Sequence, residues 1–375
     1  MPQTLGILGS SHDKNTLWTW GNAANGQLGN GTTTPNVTVP TQIGTFTDWE
    51  MVSQGGFNAG IRNGKLYTWG NAANGQLGNG TTTPAVTVPT QIGSDSDWKQ
   101  VSRTGFVAGI RDEKLYTWGN NANHRTAQGT DVGSTNTPTQ VGSDTDWKQV
   151  ACGNTWGAAI KTNGTLYTWG ANTNYQTAQG TNAGTTTAPT QVGSDTDWEE
   201  VWTGGESGVE FGVALKGGKI VSWGANSNGQ TGQNTTSGTT NSPTVVSGFS
   251  ATTDWTSLSA SFGATITAIR EGKLYMCGTN NLYRQGRNTN VGTQNTLAQV
   301  GSDTDWVKAV NGFYFGVGIK TDGTLWSWGG NQSGSTGQGT TTGTTNTPTQ
   351  IGTDTGWKGL SMYSGGGGAF AAIKG

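Results

Sequence analysis

The pentapeptide Leu-Tyr-Thr-Trp-Gly, or a close variant, returns seven times along this chain of 375 residues. Its Trp position is filled by Trp20, Trp69, Trp118, Trp169, Trp223, Cys277 and Trp328. The successive spacings are 49, 49, 51, 54, 54 and 51 residues. A period of about 50 residues is typical of repeat architectures, in which each unit needs its neighbours to bury its apolar faces. We therefore expect most of the 17 Trp residues to serve the repeat architecture.

Each unit contains a second Trp and a set of short strand patterns. The second markers are Trp49, Trp98, Trp147, Trp198, Trp255, Trp306 and Trp357. In one unit, the runs 158–161 and 165–169 flank an Asn-Gly turn, which predicts a β-hairpin. About four short strands per unit make one propeller blade. We therefore predict an all-β, seven-bladed β-propeller that forms a single domain over residues 1–375.

The two chain ends complement each other. The C-terminal run 371–375 reads Ala-Ala-Ile-Lys-Gly, and residues 15–21 supply Asn-Thr-Leu-Trp-Thr-Trp-Gly. Joined, they rebuild the hairpin that the other units contain intact. This predicts that the ring is closed by N- and C-terminal strands in one shared blade, which removes free sheet edges.

Several units resemble a known repeat family. Residues 20–31 and 69–80 both read WGNAANGQLGNG, and an Ala-Ile-Lys strand, a turn and Leu-Tyr-x-Trp-Gly recur around them. This pattern is similar to the regulator of chromosome condensation repeat, and the resemblance implies a seven-bladed propeller. The abundance of Thr, Asn and Gly resembles that of bacterial and phage members most. Members that act on the Ran GTPase, by contrast, carry a basic tail. No such tail is visible here, and many family repeats have a His where this chain has Asn58, Val107 or Trp156.

Composition narrows the classes of partner. The formal net charge is -2 and charged residues make up 11% of the chain. No basic run is present to neutralise phosphates, so we expect no nucleic-acid partner. No apolar run approaches the ~18 residues of a membrane span, so we expect no membrane insertion. The first residues lack the features of a secretory signal, which favours the virion or the cytoplasm of the producing cell; secretion stays open.

Catalysis, cofactors and metals have little support. The chain has two His, at His12 and His124, and no phosphate loop or zinc-protease motif. Cys152 and Cys277 lie in different units, and we expect no disulfide between them. Paired Asp residues before the second Trp, such as Asp144 and Asp146, admit a metal site or an Asx-turn. We favour the turn, because Ca²⁺ needs six or more oxygen ligands.

Two departures from the repeat are candidate binding positions. Six residues after the Trp marker, four units have Gly and three have His124, Tyr175 or Tyr283; Arg125, Gln176 and Arg284 follow these. Tyr and Arg are enriched at binding hot spots. The second departure is the segment 204–211, which carries a three-residue insertion relative to the fourth unit and contains Glu206 and Glu210. Loops on a rigid scaffold often carry binding. The alternative is that these side chains pack over a neighbouring blade or that the insertion is a tolerated surface change.

These observations favour a non-enzymatic structural or binding module without cofactor. Within that class we expect a phage virion or tail-associated protein, or a host-recognition protein. Its partners would be proteins, such as virion components, or a host surface receptor or glycan. The alternatives are an inhibitor propeller similar to β-lactamase inhibitors and, with less support, a GTPase exchange factor.

Overall fold

The protein is an all-β ring of seven blades. The structure, a computed structural model, describes residues 14–82, 85–131, 133–182, 184–290, 292–363 and 368–375, with the backbone alone for 362–363. Residues 1–13, part of the predicted domain, lie outside the described residues. Each blade is a four-stranded antiparallel sheet, numbered from the innermost strand outward.

Six blades are continuous in sequence, and their strands have the following bounds. Blade 1 contains β3 (Trp49–Gln54), β4 (Phe57–Arg62), β5 (Lys65–Gly70) and β6 (Val86–Gln91); blade 2 contains β7 (Trp98–Arg103), β8 (Phe106–Arg111), β9 (Lys114–Asn120) and β10 (Ser134–Gln140); blade 3 contains β11 (Trp147–Cys152), β12 (Trp156–Lys161), β13 (Leu166–Ala171) and β14 (Thr185–Gln191). Blade 4 contains β15 (Trp198–Gly204), β16 (Phe211–Lys216), β17 (Lys219–Ala225) and β18 (Thr239–Val245); blade 5 contains β19 (Trp255–Ala260), β20 (Thr265–Arg270), β21 (Lys273–Thr279) and β22 (Thr293–Gln299); blade 6 contains β23 (Trp306–Asn311), β24 (Phe315–Lys320), β25 (Leu325–Gly330) and β26 (Thr344–Gln350). Two short 3₁₀ turns lie at Ala122–His124 and Asn281–Tyr283.

The seventh, closing blade joins both chain ends, as predicted. It contains β27 (Trp357–Leu360), β29 (Ala369–Lys374), β1 (Thr16–Gly21) and β2 (Val37–Gln42). Strands β1 and β29 pair antiparallel without a break, from Thr16 opposite Lys374 to Gly21 opposite Ala369. The short β28 (Met362–Tyr363) adds a parallel pairing to β3 of blade 1. The closing blade is thus held to its neighbour by backbone as well as by packing.

The Trp of each Leu-Tyr-Thr-Trp-Gly segment joins its blade to the preceding one. Its side chain is fully buried, and its indole N–H donates to the backbone carbonyl of the residue that lies seven positions after the previous Trp marker. Six such bonds span 2.7–3.1 Å, from Trp20, Trp69, Trp118, Trp169, Trp223 and Trp328 to Ser335, Gln27, Gln76, Arg125, Gln176 and Arg284. At the seventh joint the Cys277 thiol lies 4.0 Å from the Gln230 carbonyl. One hydrogen-bond pattern therefore runs around the whole ring.

The apolar core lies between adjacent blades. One cluster joins Phe57, Ile61 and Leu66 of blade 1 to Val101 and Trp118 of blade 2. On the other side of blade 1, Trp49 and Trp69 pack with Leu17 and Ile373 of the closing blade. This alternation follows from strand geometry, because successive side chains point to opposite faces of a sheet. Each blade is thus buried on both faces, which explains the near-continuous apolar runs of the middle strands.

Polar side chains connect the inner strands around the central axis. Adjacent inner strands belong to different sheets, so side chains span the gap between them. The Gln149 side chain accepts a hydrogen bond from the Val201 N–H (2.9 Å) and donates to the Val201 carbonyl (3.2 Å). Gln100 accepts from the Val150 N–H at 2.8 Å. The corresponding residue of blade 4 is Glu200, which is 4% exposed, and burial raises the pKa of its carboxyl group to about 7.

Two substitutions can distinguish the contribution of the indole hydrogen bond to stability from that of the packed indole ring. We expect Trp118→Phe to lower the free energy of unfolding by about 1–2 kcal/mol more than Trp98→Phe, because only Trp118→Phe leaves a buried carbonyl, that of Gln76, unpaired. The Trp98 N–H is buried and has no hydrogen-bond partner in the described part of the chain, so Trp98→Phe controls for lost ring area. Urea unfolding measures both, and equal losses would show that the indole bond contributes nothing.

The buried acid near the axis makes stability depend on pH. Because the pKa of Glu200 is about 7 in the fold against a usual 4.5, the fold binds this proton more tightly than the unfolded chain does. The stability that the protonated Glu200 contributes is therefore full below about pH 4.5 and is lost as the pH rises through 7. Relative to Glu200→Gln, wild type should lose about 2–3 kcal/mol between about pH 5 and 8.5. Gln100 and Gln149 occupy the same position in neighbouring blades, so Gln fits. Parallel pH profiles of unfolding for the two proteins would contradict this expectation.

Candidate functional site on the loop face

The two faces of the disc differ in their connections. The loops that follow the first and third strands of every blade open on one side, here called the loop face. The tight hairpins between second and third strands, and the links to the next blade, open on the other side, here called the turn face. Both sets of candidate residues, around 124, 175 and 283 and at 204–211, follow first or third strands. The fold therefore brings them to the same face.

The position six residues after each Trp marker requires a left-handed backbone. Its φ is between 55° and 83° in every unit, at Gly26, Gly75, His124, Tyr175, Gly229, Tyr283 and Gly334. Glycine adopts this conformation freely, which explains the four glycines. A non-glycine residue there costs about 1 kcal/mol or more. His124, Tyr175 and Tyr283 are half-buried side chains that the fold carries in spite of this cost.

The next position is part of the architecture. The carbonyls of Arg125, Gln176 and Arg284 accept the indole bonds of Trp169, Trp223 and Trp328. The Gln176 side chain is 0% exposed and that of Arg284 is 4% exposed. The structure thus places these two candidates inside the ring, not on its surface, whereas Arg125 remains half-buried at the loop face.

The insertion at 204–211 folds onto the neighbouring blade. Glu210 is buried, and its carboxyl group accepts hydrogen bonds from the Thr155 hydroxyl of blade 3 and from the Gly208 N–H. Burial raises the pKa of Glu210, and the nearby Arg125 charge opposes that rise. The Glu210 side chain therefore fixes the insertion, while Glu206 stays exposed.

Half-buried aromatic rings surround Arg284 on blades 5 and 6. Phe313 packs against Phe262 and Tyr314, with ring centroids 5.8 and 4.3 Å apart. The Arg284 guanidinium lies 5.6 Å from the Phe313 ring and 5.4 Å from the Tyr314 ring. Burial lowers the pKa of Arg284 to about 10. We call Phe262, Phe313 and Tyr314 the rim aromatics. They are not among the residues predicted from the sequence, although unit six differs from the others by its Phe-Tyr-Phe run at 313–315.

An open cavity of about 450 Å³ lies on the same face between blades 1, 2 and 3, with Phe262 of blade 5 on its other side. Its lining includes Asn71, Asn74, Asn120, Arg125, Asn154 and Phe262. Arg103 also contributes, with its guanidinium 4.7 Å from the Phe57 ring. The cavity is therefore lined by amides, two guanidinium groups and the aromatic rings of Phe57 and Phe262.

On the turn face, the paired Asp residues bind cations of their own blade. Lys161 lies 2.8 Å from an oxygen of Asp144 and 3.0 Å from one of Asp146, with its ammonium 5.0 Å from the Trp147 ring. Burial alone would lower the pKa of Lys161, but the two carboxylates outweigh it and raise the pKa. The same ion pairs recur at Arg111, Lys216 and Lys320. The sequence predicted an Asx-turn at these Asp residues but not their ion pair with a cation. The register of the first two strands places that cation, Lys161, opposite Trp147.

Other candidate chemistry is limited in the described part of the chain. Cys152 and Cys277 are free and buried, and burial raises the pKa of both thiols. No group of three or more His, Cys, Asp or Glu residues is gathered there in a way that could hold a metal ion. Among the same residues, no helix is long and apolar enough to cross a membrane.

Comparisons with known proteins agree with this geometry. The family model of the Regulator of chromosome condensation (RCC1) repeat matches residues 14–59, 63–103 and 112–160, and a second model of that repeat matches 147–176. No curated protein matches the sequence.

Solved structures share the complete ring. Prp20p from Saccharomyces cerevisiae is 17% identical, with 99% of this chain and 93% of that chain covered and a TM-score of 0.81. Yeast RCC1 (Prp20) in complex with Kap60 is 18% identical, with 99% and 90% covered and a TM-score of 0.82. Human WBSCR16 is 18% identical, with 96% and 98% covered and a TM-score of 0.80. The chain is thus a seven-bladed β-propeller, and its residues 14–59, 63–103 and 112–176 match the regulator of chromosome condensation repeat.

Proposed function

We propose that this protein is a non-enzymatic binding module that holds a protein partner on its loop face. The observation that carries the proposal is the set of His124, Tyr175 and Tyr283, each kept in a left-handed conformation that glycine fills in the other units. Local strain of this kind gathers at functional positions. The rim aromatics add half-buried rings to the same face, and aromatic residues are enriched in protein interfaces.

Related propellers support a role in protein binding. Prp20p is described with binding properties to Gsp1p and histones, and yeast RCC1 (Prp20) was crystallised bound to Kap60. We transfer to this chain only the use of a propeller as a platform for other proteins. The nucleotide-exchange role is not part of the proposal.

We further propose that the protein acts in an assembly, as a virion or tail-associated component or in host recognition, and that it resides in the virion or in the cytoplasm of the producing cell. The support is compositional: charged residues make up 11% of the chain, and Thr, Asn, Ser and Gly cover much of its exposed loops. A rigid disc with few charges suits repeated contacts in such an assembly. Mass spectrometry of purified particles from the source should find this chain as a stoichiometric component, and its absence from them would contradict the assembly role.

The loop face can be tested with substitutions that the repeat itself provides. A triple variant, with His124→Gly, Tyr175→Gly and Tyr283→Gly, should keep its melting temperature within about 4 °C, because glycine is the residue of the other units at this position. We expect it to lose at least about tenfold in affinity for the wild-type partner, as when a hot-spot side chain is removed. Quantitative pull-down followed by titration with the identified partner measures the loss.

The control for this experiment is Val307→Thr, which changes an exposed residue at the turn-face end of β23. It should bind the partner as wild type does. If the triple variant retains full affinity while Val307→Thr loses it, the partner binds the turn face and the proposal is wrong.

A further inference from the structure

The lining of the cavity between blades 1, 2 and 3 includes side-chain amides whose oxygens already accept hydrogen bonds within the protein. The side-chain oxygen of Asn71 accepts from the Ala73 N–H at 2.8 Å and from the Gln76 amide at 3.3 Å. The side-chain oxygen of Asn120 accepts from the Ala122 N–H at 2.8 Å. The NH₂ groups of both amides have no partner among the described residues. Each amide therefore offers the cavity only its donor half.

Arg125 adds a held guanidinium to these donors. Its Nε donates to the Ala122 carbonyl at 2.7 Å, and one terminal nitrogen donates to the Asn154 carbonyl at 3.0 Å. Within the described structure the other terminal nitrogen has no partner. A Cβ at Gly105 would lie 2.6 Å from the Arg125 guanidinium. Glycine at this position therefore leaves the space that the guanidinium occupies. The donor is thus positioned before any ligand arrives.

The charges around the cavity favour an anion. Among the described residues, its lining includes Arg103 and Arg125 and no acidic residue. The carboxyl groups that act on Arg125 belong to Glu210 and Asp131, which are not part of the lining. Glu210 is bound to Thr155 and the Gly208 N–H, which leaves the cavity side of the guanidinium to a ligand.

The size and spread of the donors indicate a sugar acid. The donors come from segments of blades 1 and 2 beside a cavity of about 450 Å³, a volume in the range of small-molecule sites. A single Asp or Glu side chain presents only two oxygens, whereas a sugar acid presents a carboxylate and several hydroxyl oxygens. Phe262 supplies a half-buried ring at the edge of the cavity. We propose that this cavity binds an acidic sugar unit, with Arg125 on the carboxylate and Asn71 and Asn120 on its oxygens. The proposal does not depend on the protein partner of the loop face.

The repeat supplies variants that fit the fold. Ala171 and Ala225 occupy the place of Asn120 in other units, and Gln176 occupies the place of Arg125. Asn120→Ala, Asn71→Ala and Arg125→Gln are therefore compatible with the blade. The matched control is Asn22→Ala, because the Asn22 oxygen makes the same bonds, to the Ala24 N–H at 2.8 Å and to the Gln27 amide at 3.1 Å, but Asn22 does not line the cavity.

Isothermal titration of the full chain with trigalacturonic acid, maltotriose and tetraglutamate tests the proposal. We expect trigalacturonic acid to bind in low salt, and each cavity variant to weaken it at least about tenfold, the usual result of losing a hydrogen bond to a charged group. Asn22→Ala should bind as wild type does, and thermal unfolding should show that all variants are folded.

Three results would overturn the proposal. The first is equal binding, or no binding, of trigalacturonic acid and maltotriose. The second is binding of tetraglutamate in preference to trigalacturonic acid, which would assign the cavity to an acidic peptide. The third is a loss with Asn22→Ala as large as the loss with Asn120→Ala. None of these results depends on whether His124, Tyr175 and Tyr283 bind a protein.

Discussion

The ring depends on an indole N–H that, in six of the seven blades, reaches across to a backbone carbonyl of the preceding blade. A sheet satisfies most of its own backbone groups, so outside the β28–β3 pairing adjacent blades otherwise meet through apolar packing and individual hydrogen bonds, such as that between Gln149 and Val201. The indole bond is directional, buried and repeated with the same geometry at six joints. Because a buried carbonyl without a partner is destabilising by about 1–3 kcal/mol, each joint also specifies the angle at which the next blade can pack.

The same joint is weaker at Cys277, the one marker position that is not a Trp. The thiol fills the Trp place at 0% exposure, but it is a weak donor and lies 4.0 Å from the Gln230 carbonyl. Blade 5 has other contacts at the same level: Arg287 donates from its guanidinium to the Met276 carbonyl at 2.8 Å, where other blades use a Gln and a Thr or Ser side chain. One joint can thus be weak while the ring stays closed, because the remaining joints and the shared closing blade fix the positions of its neighbours.

The sequence predicts the fold well because every unit repeats the same evidence. Seven markers at a nearly constant spacing specify seven blades, and the split hairpin at residues 15–21 and 369–375 specifies how they close. The site is harder to predict. The role of Arg125 and Gln176 as carbonyl acceptors leaves no trace in residue type, since any residue has a carbonyl. The pairing of Lys161 with Asp144 was readable in principle, because the hairpin register places Lys161 opposite Trp147. Phe262 and Phe313 fall in loops of variable length, where alignment between units is lost.

The indole joint also indicates which residues of the repeat are constrained and which can vary between units. The acceptor position is filled by Gln27, Gln76, Arg125, Gln176, Gln230, Arg284 and Ser335, so three residue types serve the same backbone contact. On the turn face, by contrast, the conserved contact is made by side chains, and the cation and the carboxylates must change together. Variation that leaves the ring intact is therefore concentrated on the loop face. Because the backbone holds the blades there, side chains such as Tyr283 and Arg125 can differ between units, and a repeat of similar blades can carry a face whose side chains vary from one sector to another.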